Sequence, residues 1–437
     1  MTSRTSTMLP VLGAGAAVAV GVWATLRATE EPSWPPPPQA ITGDNAMAAV
    51  ADFVAGEPKP GDVGLPYAWS TAASIEPRAG GDEFYHRIFQ DIEAATSSVH
   101  ILMFGWKPGM PAGQLAELLS EKLAAGVEVR ILVDSFGSRP HGLSKAMYRG
   151  LAEAGAEMVV HKFSPPRHEG LYPEARPSWR YPLPFRADHR KLYVVDGKVA
   201  WTGGAGIEDH FHDGRFFDVM VRVTGDVVRL TQAVFLTSFA SHRAPLPDDL
   251  TPYFGLPPEP GAIPTALAQV VPYSHMSATQ ATREMIDGAT RRLDIMNPYL
   301  TDDSMIKKII DAADRGVAVR IIVSQESNNW LATAALRYRY KELFAAGVDV
   351  REYPDAVVHA KLIVADDLVQ FGTLNLDAWA LYRNLEVAMI AESAETADLF
   401  EKRVFAPAIA RSEQGSPPTS RTARAVATLA DRLTYFL

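Results

Sequence analysis

FRADHRKLYVVDGKVAWTGG, residues 185–204, sets His189, Lys191 and Asp196 in the spacing H-x-K-x-x-x-x-D at the start of an apolar strand. The spacing returns at 357–376, VVHAKLIVADDLVQFGTLNL, with His359, Lys361 and Asp366. A single short match is weak, because such patterns recur by accident. Two matches carry weight when they fall at equivalent points of a longer repeat.

The flanking sequence supplies that repeat. Before the first copy, an amphipathic helix EFYHRIFQDIEAA (83–95) leads into the strand SVHILMF (98–104). GQLAELLSEKLAAG (113–126) leads into VEVRILVDS (127–135), and a third helix around 143–155 leads into AEMVVHKF. Before the second copy, TQATREMIDGAT leads into RRLDIMNPYL, DSMIKKIIDAADRG into VAVRIIVSQ, and RYRYKELFAAG into VDVREY. GVEVRILV and GVAVRIIV agree almost letter for letter. Alternating helices and apolar strands predict an α/β fold. We expect two tandem, pseudo-twofold-related α/β units, each a mixed, mostly parallel sheet flanked by helices, with the active site at their interface. The expected divisions are 1–40 (apolar helix and proline-rich spacer), 41–242 (first unit), 243–275 (linker), 276–412 (second unit) and 413–437 (tail helix). The linker assignment rests on seven prolines between 243 and 264.

Composition bounds the function. The 437 residues are 47% hydrophobic and 21% charged, ordinary for globular domains. A net charge of −9 gives no overall electrostatic footprint for nucleic acid, and none is expected as a partner. The absence of cysteine excludes disulfides, thiolate metal sites and cysteine nucleophiles. From Thr5 to Leu26 no residue is charged, and Arg4 and Arg27 flank the run. Its length suits a single-pass membrane anchor, or a secretory signal cut after Ala24. EEPSWPPPPQ then reads as an extended spacer.

In a strand, residues i and i+2 share a face, so His189 projects with Lys191 and His359 with Lys361. If the units meet about a twofold, two imidazoles and two ammonium groups converge on one pocket. That set suits a phosphodiester. The lysines neutralise phosphoryl oxygens as charge develops. One neutral histidine attacks phosphorus and the other delivers a proton to the leaving alkoxide, then deprotonates the incoming hydroxyl. The lysines supply the positive charge a metal would bring, so neither metal nor cofactor is called for. Asp196 and Asp366, the third letters of the motif, lie near turns (VDGKV, ADDLV), where fixing the strand–turn is the expected role.

This duplicated motif resembles the phospholipase D superfamily over roughly residues 80–410. The resemblance implies a phosphohistidine intermediate and a set of supporting residues. Gly372, Thr373, Asn375, Asn384 and Glu386 match the downstream pattern of the second unit, Gly203 and Gly204 the corresponding turn of the first, and Asp218 its carboxylate. It implies that Gly203, Gly204, Thr373, Asn375 and Asn384 bind substrate, and that Glu386 and Asp218 each orient one imidazole. Within the superfamily the chain is most similar to the bacterial cardiolipin synthase and phosphatidyltransferase branch. It departs in having one N-terminal span, Gly206 in place of the usual asparagine, and Trp379 and Ala380 in place of Arg-Ser. The implied function is transfer of a phosphatidyl group to an alcohol, by a monomer acting on phospholipid at the cell membrane, with His189 as nucleophile and His359 as acid and base. A hydrolytic phospholipase D and a metal-independent nuclease are the alternatives.

Four features stand apart. The first unit is longer before its histidine, by SPPRHEGLYPEARPSWRYPLPFRA (164–187), with four arginines and four aromatics. This is either a lid or a proline-stiffened loop. DHFHD (209–213) holds a histidine pair, expected to be solvated and not to bind metal. Trp106 and Lys107 either line the pocket mouth or pack. The tail, with Val426, Leu429 and Leu433 at helical spacing, docks on the core or lies on a membrane.

Overall fold

The computed structural model describes residues 45–55, 68–139, 143–162, 187–242, 244–255, 261–272 and 275–433. The N-terminal apolar segment, the 164–187 stretch except Ala187, and the last four residues lie outside them. Among the described residues no helix is long and apolar enough to cross a membrane.

Two sheets repeat one strand order. Across the first run Ser74–Ala79, Val219–Thr224, Val199–Gly203, Lys191–Val195, Ser98–Met103, Glu128–Asp134 and Glu157–His161. Across the second, the corresponding strands are Ile263–Val271, Glu386–Glu392, Leu368–Gly372, Leu362–Ala365, Arg292–Met296, Ala318–Ser324 and Asp349–Tyr353. The helices fall where the periodicity put them: Gly81–Glu93, Met110–Ala124 and Leu143–Glu153, then Ser277–Gly288, Asp303–Asp314 and Trp330–Ala345.

Both sheets are mixed, and antiparallel pairings outnumber parallel ones, which corrects the expected mostly parallel sheet. Only the strands joined by helical crossovers pair in parallel, Ser98–Met103 with Glu128–Asp134 and then Glu157–His161, and likewise in the second unit. From the motif strand onward the chain turns back through tight hairpins, and a hairpin forces antiparallel pairing. Asp196 and Asp366 stand at these turns with the same left-handed φ of 53°. Aspartate tolerates that region better than most side chains.

Two strands fall outside the expected divisions. Ile263–Val271, placed in the linker, is an inner strand of the second sheet, paired with Glu386–Glu392. Ala68–Ala72, placed in the first unit, pairs with Ile263–Val271 and so joins the second sheet. Proline density marked the connection well, but its apolar end, ALAQVV, belongs to a sheet core.

Strand alternation sorts the core into layers. Val99, Ile101, Ile131, Val133 and Tyr193 face the helices of the first unit, while Leu293, Ile295, Ile321 and Ile363 face those of the second. The opposite faces, Leu102, Leu132, Leu192 and Val194 against Met296, Ile322, Leu362 and Val364, share one central core with the helix Val227–Ala240. That helix is buried along its whole length and packs against strands of both sheets. The two units therefore meet through a common apolar layer, with their motif strands brought together across it. The tail helix Arg421–Arg432 docks on Trp330–Ala345 through Ala427 and Ala430. Val426 and Leu429, expected on the docking stripe, stay exposed.

Candidate active site

Each motif histidine is stitched to the other unit by backbone. The His189 N–H donates to Leu385 O at 3.0 Å, beside a parallel bridge between Asp188 and Leu385. The His359 N–H donates to Phe217 O at 2.7 Å, beside the two-residue parallel pairing of Val357–Val358 with Phe216–Phe217. Leu385 precedes Glu386 and Phe217 precedes Asp218. Both pairings thus deliver a carboxylate to the neighbouring imidazole.

The side chains complete the exchange. His189 Nδ1 lies 2.9 Å from Glu386 Oε1, and His359 Nδ1 lies 2.8 Å from Asp218 Oδ2. Glu386 and Asp218 are fully buried. A carboxylate acceptor places the proton on Nδ1 and leaves Nε2 as the unprotonated nitrogen, which at His359 lies 3.2 Å from Lys361 Nζ. Glu386 Oε2 also accepts the Thr373 hydroxyl at 2.5 Å, and Asp218 Oδ1 accepts the Val219 N–H at 2.7 Å. Both carboxylates are therefore locked.

Lys191 Nζ donates to the His189 carbonyl at 2.6 Å and lies 4.9 Å from the centre of the Phe104 ring. Lys361 Nζ also donates to the carbonyl of its own histidine, and lies 2.9 Å from His359 Nδ1. Aromatic rings wall the site: Phe104 stands 4.6 Å from the His189 ring, and Phe211 and Phe216 stand 5.4 and 5.7 Å from that of His359.

Burial sets the charges. It lowers Lys191 to about 8 and Lys361 to about 7, against the pull of Glu386 and Asp218 respectively. Burial, then the adjacent ammonium groups, hold His189 well below the usual imidazole range. The same causes hold His359 at about 3, with Asp218 pulling upward. Each lysine acts on the histidine of the opposite motif as well as its own. Two ammonium groups and two imidazoles thus lie within electrostatic reach of one another, and both imidazoles are held neutral. Burial pushes the Glu386 carboxyl upward, while Lys191 and the Thr373 hydroxyl favour its charged form.

The remaining residues sort by contact. The Asp196 carboxylate accepts the N–H groups of Thr96, Ser97 and Ser98 at 2.9, 2.8 and 3.0 Å. The Asp366 carboxylate accepts those of Thr290, Arg291 and Arg292 at 2.8, 2.8 and 3.0 Å. Desolvation pushes both carboxyls up, and these bonds together outweigh it and hold both near 2. Both aspartates pin the turn that aims the motif strand, and neither carboxylate bonds an imidazole among the described residues.

Thr373, expected to bind substrate, is engaged within the protein. Its hydroxyl donates to Glu386 and accepts the Val387 N–H at 3.0 Å, so it backs the carboxylate. Asn384 Oδ1 accepts the Ala187 N–H at 3.3 Å and holds the chain entering the first motif. Gly204 is required by crowding: a Cβ there would stand 2.5 Å from Asp218 Oδ1 and 2.6 Å from His359 O. Gly203 is equally confined, 2.2 Å from Val219 O. Of the five residues expected to bind substrate, Asn375 alone keeps a buried side-chain oxygen without a partner among the described residues.

Sequence reasoning missed the residues that brace the first histidine. Asp188 and Arg190, the unassigned letters around it, form a buried pair at 2.7 Å. Arg190 reaches Gln269 in the second sheet at 3.1 Å. Asp134 accepts the Asp188 N–H at 2.8 Å, and burial raises its carboxyl to about 7. Charged residues interleaved with a motif read as solvated until burial is known. Trp106 is fully buried against Tyr148, and Lys107 pairs with Glu208 at 2.6 Å. His210 and His212 diverge, His210 packing on Phe216 and His212 pairing with Asp82.

Comparison with known proteins agrees with this geometry. A family profile described as "Cardiolipin synthase, PLD-like domain" matches residues 88–222 and 282–405, more than half the chain and both motifs. The probable cardiolipin synthase YwiE of Bacillus subtilis is 28% identical over 356 residues, spanning 80% of this chain and 68% of its own length. A cardiolipin synthase of Geobacillus kaustophilus is 30% identical over 328 residues, spanning 73% and 62% respectively. The chain thus aligns with about two thirds of each relative's length. In fold it is similar to the phosphatidylserine synthase of Haemophilus influenzae, with a TM-score of 0.61, 14% identity, and coverage of 90% of this chain and all of that one. With the duplicated motif, the shared pocket and the matched profile in agreement, the chain belongs to the phospholipase D-like, HKD-type enzyme family of the cardiolipin synthases.

Proposed function

We propose that this chain is a phosphatidyltransferase of cardiolipin-synthase type, passing a phosphatidyl group from one phospholipid to the hydroxyl of another. The observation that carries the reading is the reciprocal exchange of carboxylates between two His–Lys motifs, which gives one pocket two neutral imidazoles and two ammonium groups. The repeated strand order supports a pseudo-twofold relation between the units, with the pocket on the axis.

His189 Nε2 attacks the donor phosphorus, and the P–O bond to the headgroup glycerol breaks as a P–N bond forms. His359 gives its Nε2 proton to the departing alkoxide. That proton is present because the bound phosphate anion offsets the burial and the lysine charges that otherwise hold the imidazole neutral. The acceptor hydroxyl then loses its proton to His359 and attacks phosphorus, the P–N bond breaks, and His189 is restored. Lys191 and Lys361 neutralise the equatorial oxygens throughout. The relatives named cardiolipin synthases point to phosphatidylglycerol as donor and acceptor. The apolar N-terminal run holds the enzyme, as a monomer, at the cell membrane.

Incubation with headgroup-labelled phosphatidylglycerol in detergent tests this reading. Cardiolipin and free glycerol are expected. Phosphatidic acid as sole lipid product assigns hydrolysis, and cleavage of nucleic acid without lipid turnover assigns the nuclease alternative; either overturns the proposal.

A further inference from the structure

The tail helix Arg421–Arg432 is held by one face and bare on another. Ala427, Ala430 and Asp431 turn inward against the helix Trp330–Ala345, where Asp431 meets Arg339 at 3.3 Å. Val426 and Leu429, three residues apart and so on one side of the helix, stay exposed. The neighbouring helix repeats the arrangement. Trp330 and Tyr338 project from it, 64% and 45% exposed, and just over two turns apart they share one side. Among the described residues eight large apolar side chains stand exposed, and four of them are on these two helices. Scattered exposed apolar groups need no explanation, but their concentration on one pair of packed helices does.

Charge sets the pair apart as well. The two helices hold six cationic residues and two anionic ones, in a chain of net charge −9. Arg337 is taken up by Glu352, and Arg339 by Asp303, Glu342 and Asp431. Lys341, Arg421 and Arg424 are exposed and form no ion pair among the described residues.

This surface begins at the pocket. Tyr299, whose ring centre lies 6.5 Å from that of His359, donates its hydroxyl to Asn328 Oδ1 at 2.7 Å. Asn329 then caps the helix by accepting the Ala332 N–H at 3.2 Å, and Trp330 is its first residue. The exposed apolar groups therefore start at the rim of the second half-site and continue along the helix pair.

Apolar groups set among unpaired cations suit a surface that is apolar below and anionic above, as an anionic bilayer is. We infer that the helix pair Trp330–Ala345 and Arg421–Arg432 docks on an anionic lipid bilayer. Trp330, Tyr338, Val426 and Leu429 enter the boundary between headgroups and acyl chains, while Lys341, Arg421 and Arg424 meet lipid phosphates. This contact is separate from the N-terminal apolar run, and it sets the pocket mouth against the bilayer. The inference rests on the phosphatidyl-transfer reading only for the choice of an anionic phospholipid as the surface.

The chain has no cysteine, so a single Leu429→Cys takes one environment-sensitive nitrobenzoxadiazole label in the full-length protein. In phosphatidylglycerol vesicles its emission is expected to shift to the blue and to be quenched by nitroxide lipids. In phosphatidylcholine vesicles the effect should be several-fold smaller, and salt at about 1 M, where the Debye length is about 3 Å, should weaken it. A label at Glu117→Cys, exposed on the helix Met110–Ala124, should stay solvent-like in both.

The double variant Val426→Glu with Leu429→Glu leaves the docking residues Ala427 and Ala430 in place, so Tm should stay unchanged. Its KM on phosphatidylglycerol vesicles is expected to rise about tenfold at constant kcat, while turnover of dispersed short-chain phosphatidylglycerol keeps the wild-type rate. An unshifted label at position 429, on vesicles that the enzyme turns over, overturns the inference and leaves transfer intact. A shift that needs no lipid and grows with protein concentration assigns the face to a second copy and overturns it too. A label that shifts on vesicles where the wild-type chain transfers no lipid overturns the transfer reading and leaves the docking face standing.

Discussion

Glu386 Oε1 of the second unit lies 2.9 Å from His189 Nδ1 of the first, and the bond is answered at 2.8 Å by Asp218 of the first unit on His359 of the second. Neither half supplies the carboxylate for its own motif histidine. Glu386→Gln removes the charge that stabilises imidazolium and fixes the tautomer, and kcat is expected to fall by about three to four orders of magnitude with Tm little changed. Asp218→Asn should lose as much. Loss of only a few-fold in both would show that the carboxylates are structural.

Gly204 tests the same contact from behind. A methyl group there meets the Asp218 carboxylate at 2.5 Å and the His359 carbonyl at 2.6 Å. Gly204→Ala should displace the carboxylate and lower kcat by about a hundredfold or more. Gly214→Ala, where a Cβ meets nothing within 4 Å but φ is 78°, serves as a control for backbone strain without crowding. Equal losses in the two variants would show that crowding against Asp218 is not the cause.

The lysines set an alkaline limit. Their pKa values are lowered to about 8 for Lys191 and about 7 for Lys361, so each loses its proton as pH rises through that range. The kcat/KM profile, which reports the free enzyme, should fall as pH rises above about 7 to 8. The kcat limb should lie higher, because the bound phosphate favours the ammonium form. Lys361→Arg, charged at all accessible pH, should flatten its share of the limb at a lower plateau. A limb at one pH in both profiles, unmoved in Lys361→Arg, would assign it to another group.

The motif aspartates act on stability. Asp196 and Asp366 are held near 2, below the ordinary carboxylate value. Their contribution is therefore present above about pH 4 and disappears as pH falls through the folded value. Asp196→Asn and Asp366→Asn weaken three backbone bonds each and should cost about 1–3 kcal/mol, read as a lower Tm at neutral pH. Turnover per folded molecule should persist. Abolished turnover in a variant with wild-type Tm would return them to the chemistry.

Both motifs and the repeat were readable in the sequence because they depend on spacing along the chain, whereas the two carboxylates followed from the resemblance to the phospholipase D superfamily. Strand polarity was misjudged because VDGKV and ADDLV are local hairpins, and they determine pairing more firmly than the helix–strand alternation upstream. The pairing of Glu386 with His189, and not with His359 of its own unit, is tertiary and left no mark in spacing. Asp188 and Arg190 escaped because a charged pair reads as surface until its burial is known. Thr373 read as a phosphate ligand, but its two bonds to Glu386 and Val387 depend on how the strand Glu386–Glu392 lies beside it.

The division of labour between the histidines has a direct assay. With a phosphatidyl ester of p-nitrophenol the leaving group needs no proton, so His359 is dispensable for forming the covalent intermediate and needed only to activate the acceptor. His359→Ala should release about one equivalent of nitrophenolate in a burst and retain the phosphatidyl group on His189, located by mass spectrometry after quenching. His189→Ala should give neither burst nor adduct. A stable adduct on any other residue, or a burst that survives in His189→Ala, would contradict a single phosphorus held between the two units.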